Sequence, residues 1–312
     1  MSDLSHVDSR LWPLFERPPI DRIRYARRDV YVPYPRAKAV LSEVDHLVHG
    51  ERSERPECLL IVGEPGVGKS TVLDVVERTY PCSVNEATKL TQRPVVRVNV
   101  PGDIDLRYFY QRILKKLQIP FGESDRPSSL GASLHQGLVD AETRVLIVDE
   151  LHNFFITGPQ TLAMHMAVLR DLTNTPKVSL LCAGTNLAEN CIKADAQLEE
   201  RFDVYHLVRW TESIELRNFL ASLERRLPLR IPSNLSGPIM LPLLARLSTG
   251  NMRRMVRMIQ RAAMEAVLSG TERITETGLR KKAQEMYSGH LGAPGTEAPP
   301  ANESADSEID DE

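Results

Sequence analysis

Apolar positions along the chain fall into two patterns. Short continuous runs at residues 58–62, 94–100, 144–148 and 178–183 have the length and branched composition of strands buried on both faces of a sheet. Between them, apolar residues return every three or four positions. Ala37, Val40, Leu41, Val44, Leu47 and Val48 do so over 36–49, and the same period predicts helices through Val76, over 106–117, 130–141 and 161–172, and through Leu198 up to residues 199–203. This alternation predicts an α/β fold with a parallel sheet flanked by helices on both faces. Beyond Trp210 the pattern is helical only, over 212–223, 239–247, 252–268 and 276–286, which predicts a small all-α lid. Met252 and Met255 lie on the apolar face of one of these helices and read as core filler.

The two ends depart from both patterns. Pro13, Pro18, Pro19, Pro33 and Pro35 predict an extended arm over residues 1–35, whose Arg22, Arg24, Arg27 and Arg28 form either a solvated surface or a contact to phosphates or a neighbouring subunit. From residue 288 onward Gly, Ala, Pro, Ser, Asp and Glu dominate, and such a segment is expected to be disordered. The expected division is therefore an arm (1–35), an α/β nucleotide-binding domain (36–210), a helical lid (211–287) and an acidic tail (288–312).

The chemistry is concentrated where strands end. After the first apolar run come Gly63, Glu64, Pro65, Gly66, Val67, Gly68, Lys69, Ser70 and Thr71, a glycine-rich loop opening a helix in the G-x-x-x-x-G-K-S pattern. Glycines let backbone N–H groups converge on phosphate oxygens, and the helix turns its positive end to the same anion. Lys69 adds a cation for the β- and γ-phosphates of ATP, and the Ser70 hydroxyl suits Mg²⁺. The third apolar run ends in Asp149 and Glu150. Asp149 suits the same Mg²⁺, and Glu150 suits polarising a water for attack on the γ-phosphate. Thr185, after the fourth run, is either a contact to the γ-phosphate or attacking water or an ordinary turn residue. Tyr31, Val32 and Tyr34 either pack on an adenine ring or belong to the core.

Composition narrows the setting. Hydrophobic content of 42% and charged content of 26% are those of an ordinary globular chain. No apolar run approaches the roughly 20 residues that span a bilayer, and the N-terminus, with Asp3 and Asp8, lacks the apolar core of a signal peptide, so a cytoplasmic location is expected. Cys58, Cys82, Cys182 and Cys191 show no C-x-x-C spacing and read as reduced thiols. Seven acidic residues and no Lys or Arg follow Gly289, so the net −3 of the whole chain leaves +4 for the remainder. A mildly basic body with an acidic tail is compatible with nucleic acid; the tail itself is expected to repel DNA or engage a basic partner.

Taken together, the phosphate loop, Asp149-Glu150, Thr185, Arg201 within Glu-Arg-Phe, and Gly250-Asn251-Met252-Arg253 at the lid resemble the AAA+ P-loop ATPases. The resemblance implies that Arg201 reaches the γ-phosphate bound by a neighbouring subunit, and that Arg253 or Arg254 is the lid's sensor. More narrowly, Tyr34-Pro35-Arg36-Ala37, residues 109–114, Asp149-Glu150-Leu151-His152-Asn153, Ala183-Gly184-Thr185 and residues 227–235 resemble TniB, a transposition ATPase family related to TnsC. That likeness, over roughly residues 30–285, implies an ATP-dependent regulator that assembles as a ring or filament on double-stranded DNA. It further implies that the protein marks the target for a DDE-type transposase and works with a TniQ-type adaptor. By the same resemblance DNA is gripped along its backbone by residues 101–108 and 120–130, where Arg107 and Arg126 are the basic residues, while Lys115 and Lys116 form a solvated face. The alternative is a replication initiator or loader of the Orc or clamp-loader type. That class commonly appends a winged-helix or collar domain, for which the roughly 25 residues after the last helix are too few and too polar.

Overall fold

The computed structural model describes residues 4–28, 31–86, 89–102 and 105–287. Strands β1 (Cys58–Val62), β4 (Val95–Asn99), β5 (Val145–Asp149), β6 (Ser179–Gly184) and β7 (Phe202–His206) form one parallel sheet in the order β4-β5-β6-β1-β7. Strands β2 (Ser83–Val84) and β3 (Thr91–Gln92) pair antiparallel as a separate short hairpin. Side chains alternate across the sheet, so each strand feeds two cores. Leu59, Ile61, Val145, Ile147, Leu181 and Ala183 pack with α2 (Pro35–His49) and α3 (Lys69–Thr79). On the opposite face, Cys58, Leu60, Val62, Leu146, Val148, Leu180 and Cys182 pack under four helices. These are α4 (Leu106–Leu117), α5 (Pro127–Asp140), α6 (Pro159–Asn174) and α7 (Asn186–Lys193). A single turn, α8 (Ala196–Glu199), leads into β7.

The C-terminal helices α9 (Ile214–Glu224), α10 (Met240–Ser248), α11 (Met252–Ser269) and α12 (Glu276–Tyr287) form the lid. Its core is continuous with the α2–α3 side of the sheet, and Met255 and Met258 are fully buried in it. Among the described residues no helix is long and apolar enough to cross a membrane.

The arm is not extended. Residues Ser9–Glu16 form a 3₁₀ helix and Pro19–Ala26 form α1. The prolines mislead because Pro19 occupies the first helical position, where no N–H is needed and the fixed φ suits the helix. Helix α1 packs on α11, and Arg22, 4% exposed, forms a two-pronged ion pair with Glu272 of the lid at 2.6 and 2.8 Å. It is thus neither a solvated surface residue nor free for phosphates. A second correction concerns 202–206, where the periodicity suggests the end of a helix. The segment is an edge strand paired only to β1, so Asp203 and His206 remain exposed and no continuous apolar run marks it. The tail expected to be disordered, 288–312, lies outside the described residues.

Candidate nucleotide-binding site

The loop between β1 and α3 has the backbone that close approach to an anion requires. Gly66 and Gly68 adopt φ of +83° and +109°, a region side chains rarely enter, and a Cβ on Gly66 would lie 2.6 Å from the Asn251 amide. Gly68 caps α3 without any side-chain hydrogen bond, leaving the helix's first N–H groups to the loop's concavity. Gly63 N–H donates to the Gly184 carbonyl at 3.2 Å, which pins the loop to the end of β6. Val67 is buried beneath the loop, whereas Ser70 and Thr71 are exposed. The Lys69 ammonium, on a side chain 5% exposed, donates to the carbonyl oxygens of Gly63 (2.6 Å) and Glu64 (3.2 Å). Burial lowers its pKa, and the charges of Glu150 and Asp149 oppose that shift.

The lid closes directly on this loop. Asn251 donates through its amide to the Pro65 carbonyl at 2.8 Å, Arg253 N–H donates to the Gly66 carbonyl at 2.9 Å, and the Asn251 side-chain oxygen caps α11 at Arg254 N–H. Glu64 pairs with Arg209 at 2.5 Å. Between loop and lid lies a cleft of about 440 Å³, lined by Lys69, Ser70 and Glu150 and by Tyr31, Val32 and Tyr34, with the Tyr34 hydroxyl 3.4 Å from where a Cβ on Gly68 would lie. Tyr34 is also a core residue, its ring edge-on to Trp210 at 5.2 Å. The Tyr31 hydroxyl is buried with no hydrogen-bond partner among the described residues. Arg253 lines the cleft and Arg254 does not appear among its lining residues.

Because β6 lies between β1 and β5, the phosphate loop, Thr185 and the Asp149-Glu150 pair follow the ends of three adjacent strands, with Thr185 outside the lining of the cleft. Asp149 is 5% exposed; one carboxylate oxygen accepts from Glu150 N–H at 3.0 Å and the other from Arg97 at 2.8 Å. Glu150 sits in the left-handed region (φ +57°), which turns the chain sharply after β5, and His152 lies 3.4 Å from its carboxylate. Thr185 begins α7, but its hydroxyl makes no cap bond to that helix.

Three predicted residues lie elsewhere. Arg201 is at the other end of the sheet: its carbonyl accepts from Cys58 N–H at the start of β1, one five-residue strand, or about 16 Å, from the loop at the strand's far end. Its guanidinium donates to Thr173 and Asn174. Arg107 and Arg126 are exposed at the first turns of α4 and α5, which pack on each other.

Sequence reasoning passed over Arg97. It sits on β4 and joins Asp149 to Asp74 and Glu77 of α3, which a lone charge inside an otherwise apolar run could have signalled. It also missed Asn251, Arg209 and the closeness of His152 to Glu150.

Fold and strand-end constellation together define an AAA+ P-loop domain carrying a helical lid. Similar solved structures have the same architecture: the CDC6P of Pyrobaculum aerophilum (19% identity, 85% of this chain and 70% of that chain, TM-score 0.61), the Aeropyrum pernix ORC2 protein in ADPNP-ADP complexes (18%, 84% and 71%, 0.60) and the A. pernix ORC1 protein in complex with DNA (16%, 85% and 69%, 0.59). At these identities the likeness shows the fold alone. The family described as Bacterial TniB protein matches residues 22–212, more than half of the chain, and the chain belongs to that family. No curated protein matches it significantly.

Proposed function

We propose that this protein is an ATP-dependent, oligomerising DNA-binding regulator of transposition, which marks target DNA and recruits or activates a DDE transposase with the help of a TniQ-type adaptor. Membership of the TniB family supports the biological role. The observation that carries the chemistry is the convergence of a left-handed-glycine phosphate loop, Asp149-Glu150 and Thr185 at adjacent strand ends, under a lid hydrogen-bonded to that loop.

A bound Mg²⁺–ATP supplies a phosphoanhydride bond whose cleavage releases energy and alters the charge in the cleft. The loop N–H groups and the start of α3 bind its phosphates, and Lys69 exchanges the Gly63 and Glu64 carbonyls for phosphate oxygens. Ser70 and Asp149 would hold the metal, and Arg97 fixes the orientation of Asp149. Glu150 takes the proton of the attacking water, and Thr185, its hydroxyl unused by α7, orients that water. Tyr31, Val32 and Tyr34 form the wall for the base, where the Tyr31 hydroxyl has a hydrogen bond to give. Arg253 reads the phosphates from the lid through a helix already tied to the loop. Arg201 is too far from its own cleft and serves the site of the next subunit, which makes turnover depend on assembly.

Mixing two inactive proteins tests this. Arg201→Ala should bind ATP yet fail to turn over, and adding Lys69→Ala subunits should restore part of the activity. No recovery in any mixture contradicts the in-trans role. The alternative, an Orc-type initiator or loader, has only the likeness of fold behind it; a DDE-integrase gene beside this one separates the two.

A further inference from the structure

A second groove, of about 1030 Å³, adjoins the cleft, sharing Ser70, Asp74 and Glu150 with it and running along α4 past Arg112, Lys115 and Lys116. Its lining carries four basic and four acidic side chains, and the two signs are segregated. Arg97 is matched by Asp74, Glu77 and Asp149. Arg112 is held in place by the Asn99 carbonyl (2.6 Å) and the face of Tyr108 (5.1 Å), both uncharged. Lys115 and Lys116 are exposed, and neither has an ion-pair partner among the described residues. The three cations on α4 thus form a basic rim, while Asp74, Glu77, Asp149 and Glu150 outnumber Arg97 at the groove's inner end.

The opposite end of the sheet presents the complementary pattern. Arg201 is held there only by a hydroxyl and an amide oxygen, so its charge is unmatched, and it is preceded directly by Glu199 and Glu200. Both are exposed and without an ion pair among the described residues. With consecutive Cα atoms 3.8 Å apart, the Cα atoms of Glu199 and Glu200 stay within about 8 Å of that of Arg201, so the three side chains reach any neighbour together.

We propose that Glu199 and Glu200 of one copy of this chain dock against Lys115 and Lys116 of the next, and that this pairing sets the register in which Arg201 enters the groove. The proposal rests on the reading that Arg201 serves a neighbouring subunit. The two carboxylates meet the basic rim on α4, while the arginine beside them faces the carboxylates at the groove's inner end. Pairs of this kind, at the rim of an interface, act chiefly on encounter rate and register.

Charge exchange tests it on the full chain, with duplex DNA and a non-hydrolysable ATP analogue. Lys115→Glu with Lys116→Glu, and separately Glu199→Lys with Glu200→Lys, should each raise the protein concentration needed for assembly about tenfold. All four positions are exposed, and analogue binding by each monomer should stay as in the parent. In an equimolar mixture the reversed groove of one variant faces the reversed acidic pair of the other, so assembly should return to within about threefold of the parent, and the four-fold variant should behave likewise. A mixture no better than either variant alone overturns the proposal, as does loss of DNA binding that the mixture leaves unrepaired, which makes the groove a nucleic-acid surface. Rescue by mixing supports the docking even if Arg201→Ala proves harmless to turnover; failed rescue beside a positive Arg201→Ala and Lys69→Ala complementation removes the docking and leaves the arginine's role standing.

Discussion

Replacing Arg22 by alanine tests whether the N-terminal segment is part of the folded lid. The side chain is 4% exposed and gives Glu272 two bonds, at 2.6 and 2.8 Å, with a third at 3.4 Å to the Pro228 carbonyl. Truncation leaves the Glu272 carboxylate, 14% exposed, with only Arg230 N–H at 3.2 Å and the Arg230 guanidinium at 3.9 Å. Removing one partner of a buried pair costs about 3–5 kcal/mol, and because Arg230 remains the low end applies, about 3 kcal/mol. At roughly 2–4 °C per kcal/mol this is a fall of about 6–12 °C in Tm. The loss should also depend on pH. Burial pushes the Glu272 carboxyl up, but the Arg22 hydrogen bonds and charge, together with Arg230, hold it below its ordinary value. A depressed carboxyl contributes its stability above the unfolded value and loses it as pH falls through the folded one, so wild type and variant should differ fully above about pH 5 and converge below the ordinary glutamate value of about 4.3. Urea denaturation at a series of pH values from 7 down to about 3 reads both effects. A change under about 1 kcal/mol at pH 7 refutes the buried-latch reasoning and returns the segment to a loosely held arm.

Two further substitutions separate the parts of the site. Lys69→Ala should weaken nucleotide binding, whereas Glu150→Gln should bind ATP and slow hydrolysis by orders of magnitude; equal turnover by Glu150→Gln and wild type removes the water-activating role. Arg97→Ala leaves the buried Asp149 facing Asp74 and Glu77 with no cation between, and should cost about 2–3 kcal/mol in urea denaturation, moderated because Asp74 and Glu77 keep access to water.

The sequence discloses the site more fully than the fold's margins, for a physical reason. Phosphate binding at a strand end needs glycines, a lysine and carboxylates in fixed order, so residues 63–71 and Asp149-Glu150 are legible without coordinates. The three inner strands are legible because burial on both faces forces continuous apolar runs. Of the two edge strands, β4 is legible because Val95, Val96 and Val98 stay buried, and β7 escapes because its Asp203 and His206 are exposed and break the run. Helix α1 escapes because its prolines stand where a helix tolerates them, and Arg22 reads as a surface charge until Glu272, 250 positions away in the sequence, is brought against it. The same distance hides Asn251, whose bond to Pro65 joins lid to loop across 186 positions. Arg201 shows the converse case, since its motif is local while its proposed target lies in another chain.

If nucleotide binding at this site controls a grip on DNA, affinity for two unrelated duplexes, measured against salt with and without a non-hydrolysable ATP analogue, reads that coupling. The analogue should tighten binding about equally on both duplexes with a steep salt dependence, Lys69→Ala should abolish this tightening, and Arg107→Ala with Arg126→Ala should flatten the salt slope. Affinity indifferent to the analogue, or a strong preference for one duplex, contradicts this reading.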